Sequence, residues 1–276
     1  MPQIVVPAKA GTHSSSAAHW RAETWTPAFA GATSLGLAER TSIIVQILRL
    51  LFFLMIVRPA VLFLLGLYVK REELLPRQGP AIVVANHNSH LDTLVLLSLF
   101  PLGLLPKVRA VAAADYFACE DTTLGWIAKH LIGIIPIRRN ASALENMRHD
   151  PLKPAADALA DGSILIIYPE GTRGTAEKLA KFKNGVAYLV ERFPEVPVTP
   201  VYLCGLGKAW PKGERWPVPL LCEVFVGAPM RWCGDRIAFI AKLEQRVGEL
   251  AKLGDFPGWD FEPSAADNKR VLEGRK

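Results

Sequence analysis

The sequence predicts an α/β fold: a largely parallel central sheet flanked by helices, preceded by an N-terminal apolar helical hairpin. Three observations predict it. From about residue 80, short β-branched runs alternate with helical segments, a pattern that requires right-handed crossovers between parallel strands. SILIIYPEG (163–171) opens with an unbroken apolar run, as a strand covered on both faces should. Residues 41–80 are the most apolar part of the chain, and Arg49, Arg58 and Pro59 divide them.

In chain order, AIVVAN (81–86) reads as a strand, DTLVLLSLF (92–100) as a helix and VRAVAAA (108–114) as a strand. TLGWIAKHLI (123–132) is a helix, GIIPIRR (133–139) a strand, and PLKPAADALADG (151–162) a helix closed by Gly162. A helix over 184–193, strands at VPVTPVYL (196–203) and CEVFVG (222–227), and a helix over 236–253 complete the pattern. Pro197 and Pro200 predict a stiff, partly unpaired strand.

Four segments follow. Residues 1–40, rich in small and polar residues and with the near-repeat PAKAGTH and PAFAGAT, cannot bury enough apolar surface to order themselves. They resemble translated repeats that extend a reading frame, with the native start nearer Met55 or at a non-Met codon before it. Residues 41–75 form a membrane-associating helical segment, 76–253 the α/β domain, and 254–276 a polar tail. Within 41–75 the charge-free runs cover 50–57 and 59–69, while a spanning helix wants about 20 apolar residues. Two short helices lying in one leaflet, with Arg49, Arg58, Lys70 and Arg71 at the headgroups, are therefore preferred to one kinked spanning helix. A central arginine costs about 2.5–3.5 kcal/mol. A pair of core helices is the third reading.

The net charge of +6 and pI of about 9.2 suit an anionic surface or anionic substrates. A nucleic-acid partner is not expected, because the basic residues are spread among apolar runs without aromatic platforms or zinc spacing. Cys119, Cys204, Cys222 and Cys233 show no metal-ligand spacing and read as reduced thiols. No metal is expected. Trp210, Trp216, Trp232 and Trp259 read as core packing in preference to a membrane-facing belt.

The chemistry concentrates in AIVVANHNSHLDTLVLL (81–97), where a polar cluster interrupts an apolar run. His87 and Asp92 could not meet on one continuous helix, but they can if a helix starts between them. Asn88 and Ser89 are good N-cap residues, and the apolar period begins at Leu91. A carboxylate on one imidazole nitrogen leaves the other to accept a proton from an alcohol. Of the six histidines only His87 has an acid five positions on; His90 reads as a turn residue. YPEGTRG (168–174) ends the buried strand with groups able to grip a polar anion, GIIPIRR places Arg138 and Arg139 on opposite faces, and FKNG (182–185) adds Lys183.

Taken in order, NHNSHLD, GIIPIRR, YPEGTR with FKNG, and VPVTPV resemble the four motifs of the glycerolipid acyltransferases, the lysophosphatidic acid acyltransferase family. The resemblance covers about residues 45–230 and implies His87 as base and Asp92 as its orienting partner. It implies that Arg139 and the Glu170–Gly171 pair bind the glycerophosphate; Thr172, Arg173 and Lys183 read as further substrate-binding residues beside them. The implied reaction moves an acyl chain from acyl-CoA or acyl carrier protein to the hydroxyl of a lysophospholipid such as 1-acyl-glycerol-3-phosphate, without a cofactor. An ornithine-type lipid acceptor, or a silent membrane-lipid-binding protein on the same scaffold, are the alternatives. A serine hydrolase is disfavoured, because the chain has no GxSxG. The implied location is the cytoplasmic face of the inner membrane, peripheral, monotopic or single-pass. Pro136 and Gly174 depart from the family pattern and bear on the identity of the acceptor.

Overall fold

The computed structural model describes residues 37–89, 91–113, 123–137, 150–174, 178–210 and 218–254. Strands β1 (Leu65–Lys70), β2 (Ala81–Ala85), β3 (Val108–Ala113), β4 (Ile134–Ile137), β5 (Ile164–Ile167), β6 (Val198–Cys204) and β7 (Leu220–Val226) form one sheet in the order β1-β7-β6-β2-β5-β3-β4. Every neighbouring pair is parallel except β6 with β7. The helices are α1 (Leu37–Phe52), α2 (Arg58–Leu64), α3 (Leu91–Ser98), α4 (Thr123–Trp126), α5 (Lys153–Ala160), α6 (Gly185–Arg192), α7 (Leu206–Ala209) and α8 (Arg236–Ala251).

The alternation of side chains along β2 builds two cores. Ala81, Val83 and Ala85 pack with Phe53, Val95, Leu96 and Phe100 on one face, while Ile82 and Val84 pack with Leu159, Val190, Phe239 and Val247 on the other. Complete burial of β2 explains its unbroken apolar run. The largely parallel α/β architecture of the sequence reading is therefore present. Pro200 is tolerated in an inner strand because it falls between the β7 ladder, which begins at Val201, and the isolated bridge of Val198 to Met230. Trp210 packs on the first core and Trp232 on the second, so these two do not share a belt; Trp216 and Trp259 lie outside the described residues.

The N-terminal apolar segment differs from expectation in three ways. It is not a hairpin: α1, a π turn (Phe53–Val57) and α2 form one continuous helix. The Arg58 N–H bonds to the Phe53 carbonyl, five residues back, and this local change of register absorbs Pro59, which lacks an N–H. The second difference is that LGLYVK (65–70) is not helical, but is strand β1, parallel to β7. Short apolar runs do not distinguish the two states by pattern. Third, Arg49 and Arg58 turn onto backbone carbonyls of the domain. Arg49 is 6% exposed, and its Nη2 donates to the carbonyls of Val108 (2.8 Å) and Ile132 (3.0 Å); Arg58 donates to Phe100 (2.8 Å). With Arg49, the buried Phe53, Val57 and Val61 make a stripe at four-residue spacing that docks the helix onto the domain. Residues 37–54, ahead of Met55, thus belong to the folded unit. Ile43, Ile47, Leu51, Leu54, Met55, Leu62 and Phe63 remain exposed on the same helix.

Candidate active site

The register aligns Val84 of β2 with Ile167 of β5, so the chain leaves both strands at one carboxyl edge. Asn86 fixes the exit from β2. Its side-chain amide donates to the Leu203 carbonyl (2.9 Å) and accepts from the Leu203 N–H (2.7 Å), imitating one more rung of the β2–β6 ladder. The polar turn then begins at His87.

Asp92, in the first turn of α3, is fully buried. Its Oδ2 accepts from the backbone N–H of Asn88 (2.7 Å) and Ser89 (2.8 Å), and from His87 Nδ1 at 2.9 Å. The carboxylate therefore shapes the turn and holds the imidazole at once, and it sits at the positive end of the helix. The expected cap is also present: Ser89 Oγ accepts from the Leu91 N–H (3.2 Å) and donates to the Trp210 carbonyl (3.1 Å). Because Nδ1–H is engaged by a carboxylate, the basic nitrogen of the neutral ring is Nε2. The His87 side chain is 22% exposed, buried enough to be oriented and open enough to meet a reactant. His90 lies outside the described residues.

Tyr168 was not anticipated from spacing. Its ring stacks on His87 with centroids 4.2 Å apart and planes 19° from parallel, and its hydroxyl meets Thr93 Oγ1 at 2.9 Å. Burial first, and then the Asp92 charge, push the phenol well above its ordinary value, so it stays protonated. A tyrosine closing a buried strand looks like core, and only a three-dimensional contact marks it.

Glu170 is 3% exposed. Its Oε1 accepts from the His87 N–H at 3.2 Å, and the Gly174 N–H donates to the His87 carbonyl at 3.0 Å, so the YPEGTRG loop clasps the histidine backbone from both sides. Desolvation raises the Glu170 carboxyl to about 7, against the opposing pull of hydrogen bonds from the His87 and Ala180 amides. Gly171 adopts φ +73°, and a Cβ there would lie 2.8 Å from Lys183 Nζ. Glycine is needed for the conformation, and the lysine side chain lies close against it. The Lys183 N–H bonds to the Pro169 carbonyl (2.8 Å), which ties FKNG to the loop. Thr172 and Lys183 are exposed and Arg173 is half-buried, beside the His87 turn. Arg138 and Arg139 lie outside the described residues. The structure thus brings His87, Asp92, Glu170, Gly171, Thr172, Arg173 and Lys183 to one edge.

A buried aspartate that fixes a histidine at a strand-to-helix turn, with PEGTR on the adjoining strand end, is the arrangement that the motifs foretold. The model of the family described as Acyltransferase matches residues 66–204, half of the chain. The chain belongs to the acyltransferase family. Within this family, it is 32% identical over 144 residues to the chloroplastic 1-acyl-sn-glycerol-3-phosphate acyltransferase of Arabidopsis thaliana, covering 52% of this chain and 37% of that one. It is 29% identical over 173 residues to the 1-acyl-sn-glycerol-3-phosphate acyltransferase of Pseudomonas aeruginosa, covering 62% of each. The matches span from about two fifths to about three fifths of the lengths of these relatives. The acyltransferase fold is also that of the crystal structure of the 1-acyl-sn-glycerophosphate (LPA) acyltransferase, PlsC, from Thermotoga maritima. That likeness has a TM-score of 0.60 at 21% identity and covers 79% of this chain and 84% of that one.

Proposed function

We propose that the protein transfers an acyl chain from an acyl thioester, on coenzyme A or acyl carrier protein, to the free hydroxyl of a lysophospholipid of the 1-acyl-glycerol-3-phosphate type. The observation that carries this reading is the 2.9 Å contact of His87 Nδ1 with the buried Asp92, made within a family of acyltransferases. Nε2 of His87 takes the hydroxyl proton as the oxygen attacks the thioester carbonyl carbon. The C–S bond then breaks, and the imidazolium returns its proton to the departing thiolate. Asp92 stabilises that imidazolium, while the stacked Tyr168 ring and the clasp of Glu170 hold its position. Arg173 and Lys183, joined by Arg139, bind the acceptor phosphate, and Gly171 and Thr172 shape the loop against it. Glu170, buried and turned onto a backbone amide, serves this site by holding the loop.

In this reading the protein lies in one leaflet at the cytoplasmic face of the inner membrane, and the exposed apolar strip of α1 and α2 supports the membrane contact. The span Ser42–Phe63 is long and apolar enough to cross a bilayer. Its docking stripe, from Arg49 to Val61, nevertheless keeps the helix beside the domain. Purified protein offered a panel of lyso-acceptors, each with acyl-CoA and acyl carrier protein donors, tests the proposal through thiol release and the acylated product. Turnover with 1-acyl-glycerol-3-phosphate is expected. Vesicle binding without thioester consumption across the whole panel would overturn it.

A further inference from the structure

A second polar site lies away from His87. A cavity of about 350 Å³ opens between α1 and the π turn that continues α4 (Ile127–Ile132), lined among others by Ser42, Gln46, Arg49, Arg109, Lys129 and His130. Arg109 is the second residue of β3 and Gly133 immediately precedes β4, so the cavity borders the amino ends of these strands. The register pairs Val108 with Ile164, the first residue of β5, whereas the His87 site follows the last. The two sites therefore occupy opposite edges of the sheet.

Three permanent cations and an imidazole share this space. Among the described residues no carboxylate pairs with Arg49, Arg109 or Lys129. Arg49 is more than nine-tenths buried. Although its Nη2 is satisfied by two carbonyls, its Nε is buried with no hydrogen-bond partner. A cleft that gathers guanidinium groups, an ammonium and two polar side chains, without neutralising them, is complementary to a phosphate group. Its position selects the source. Ser42, Gln46 and Arg49 line the cavity on one side of α1, while Ile43, Ile44, Ile47 and Leu48 in the same turns are exposed. A molecule with phosphate against the cations would find apolar surface beside it for its chains.

We propose that this cleft binds the phosphate headgroup of an anionic membrane lipid, at a site separate from the acyl-transfer centre. It anchors and orients the protein on anionic bilayers and stands independently of the reaction assigned to His87. The test is co-flotation of the full-length protein with phosphatidylcholine vesicles, with and without phosphatidylglycerol. An R109Q/K129Q variant is expected to lose roughly thirtyfold in affinity for the anionic vesicles, at about fivefold per surface cation. Its binding to neutral vesicles and its melting temperature should be unchanged. A K242Q/R246Q variant, which removes two exposed cations from α8 on the opposite face of the sheet, should bind both vesicles as the parent does. Lys129→Glu, a single change at an exposed position, repeats the test should the double variant be unstable. An equal loss in the two double variants, or none in either, would overturn the proposal. So would calorimetric binding of inorganic phosphate that R109Q/K129Q abolishes while vesicle binding persists, because the ligand would then be a soluble anion.

Discussion

Asp92 and Tyr168 constrain the His87 imidazole in complementary ways. The carboxylate holds one nitrogen, while the stacked ring fixes the plane and is itself tethered to Thr93. Removing the stack by Tyr168→Leu should lower kcat about threefold to tenfold with little change in KM, the range that an aromatic pair contributes beyond its burial. Tyr168→Phe keeps the ring and should retain most of the turnover, while losing about 0.5–1.5 kcal/mol of stability with the Thr93 bond. Steady-state kinetics and urea melts separate the two. Glu170 makes a pH prediction. Its folded pKa, about 7, stands above the ordinary value of 4.5, so the native state binds this proton more readily than the unfolded chain. The resulting stability is complete below about 4.5 and declines as pH rises through about 7. Glu170→Gln, which keeps an acceptor for the His87 N–H, should flatten that decline by about 1–3 kcal/mol between acidic and mildly alkaline buffer. Urea melts across that range check it, and an unaltered slope would show that another group sets the dependence.

At the scale of elements, Arg49 and Gly133 form one joint. Gly133 has φ +79°, and a Cβ there would fall 2.7–2.8 Å from the Arg49 guanidinium. Gly133→Ala should therefore destabilise the protein by about 1–3 kcal/mol through strain and by displacing the arginine. Chemical denaturation measures this; a loss below about 0.5 kcal/mol would mean that the joint relaxes freely. Most of the sheet and its helices were legible from the residues, since β2, β5 and α3 have patterns with a single period and clear ends. The same applied to His87, Asp92 and the loop at Glu170, whose polar residues interrupt apolar runs. The apolar segment was less legible, because Arg49 and Arg58 look alike whether they face headgroups or backbone carbonyls. Only the positions of Val108, Ile132 and Phe100 decide between them. Strand β1 was hidden for a related reason: its hydrogen bonds go to β7, some 150 residues downstream, and no local period announces that pairing. Asn86 and Tyr168 escaped notice because their partners, Leu203 and Thr93, are likewise remote.

Over the whole molecule, a basic protein joins an exposed apolar helix to a sheet edge that presents a held histidine beside half-buried and exposed cations. Those features suit a substrate with a phosphate, a hydroxyl and an acyl chain, all presented at a membrane surface. The role proposed for His87 is that of the base in acyl transfer. The most direct measurement is the initial rate of thiol release from acyl-CoA or acyl carrier protein, with 1-acyl-glycerol-3-phosphate as acceptor, for the parent protein and for a folded His87→Ala variant. A fall of about 10²–10⁴ in kcat is expected for the variant; near-normal turnover in His87→Ala would contradict that role.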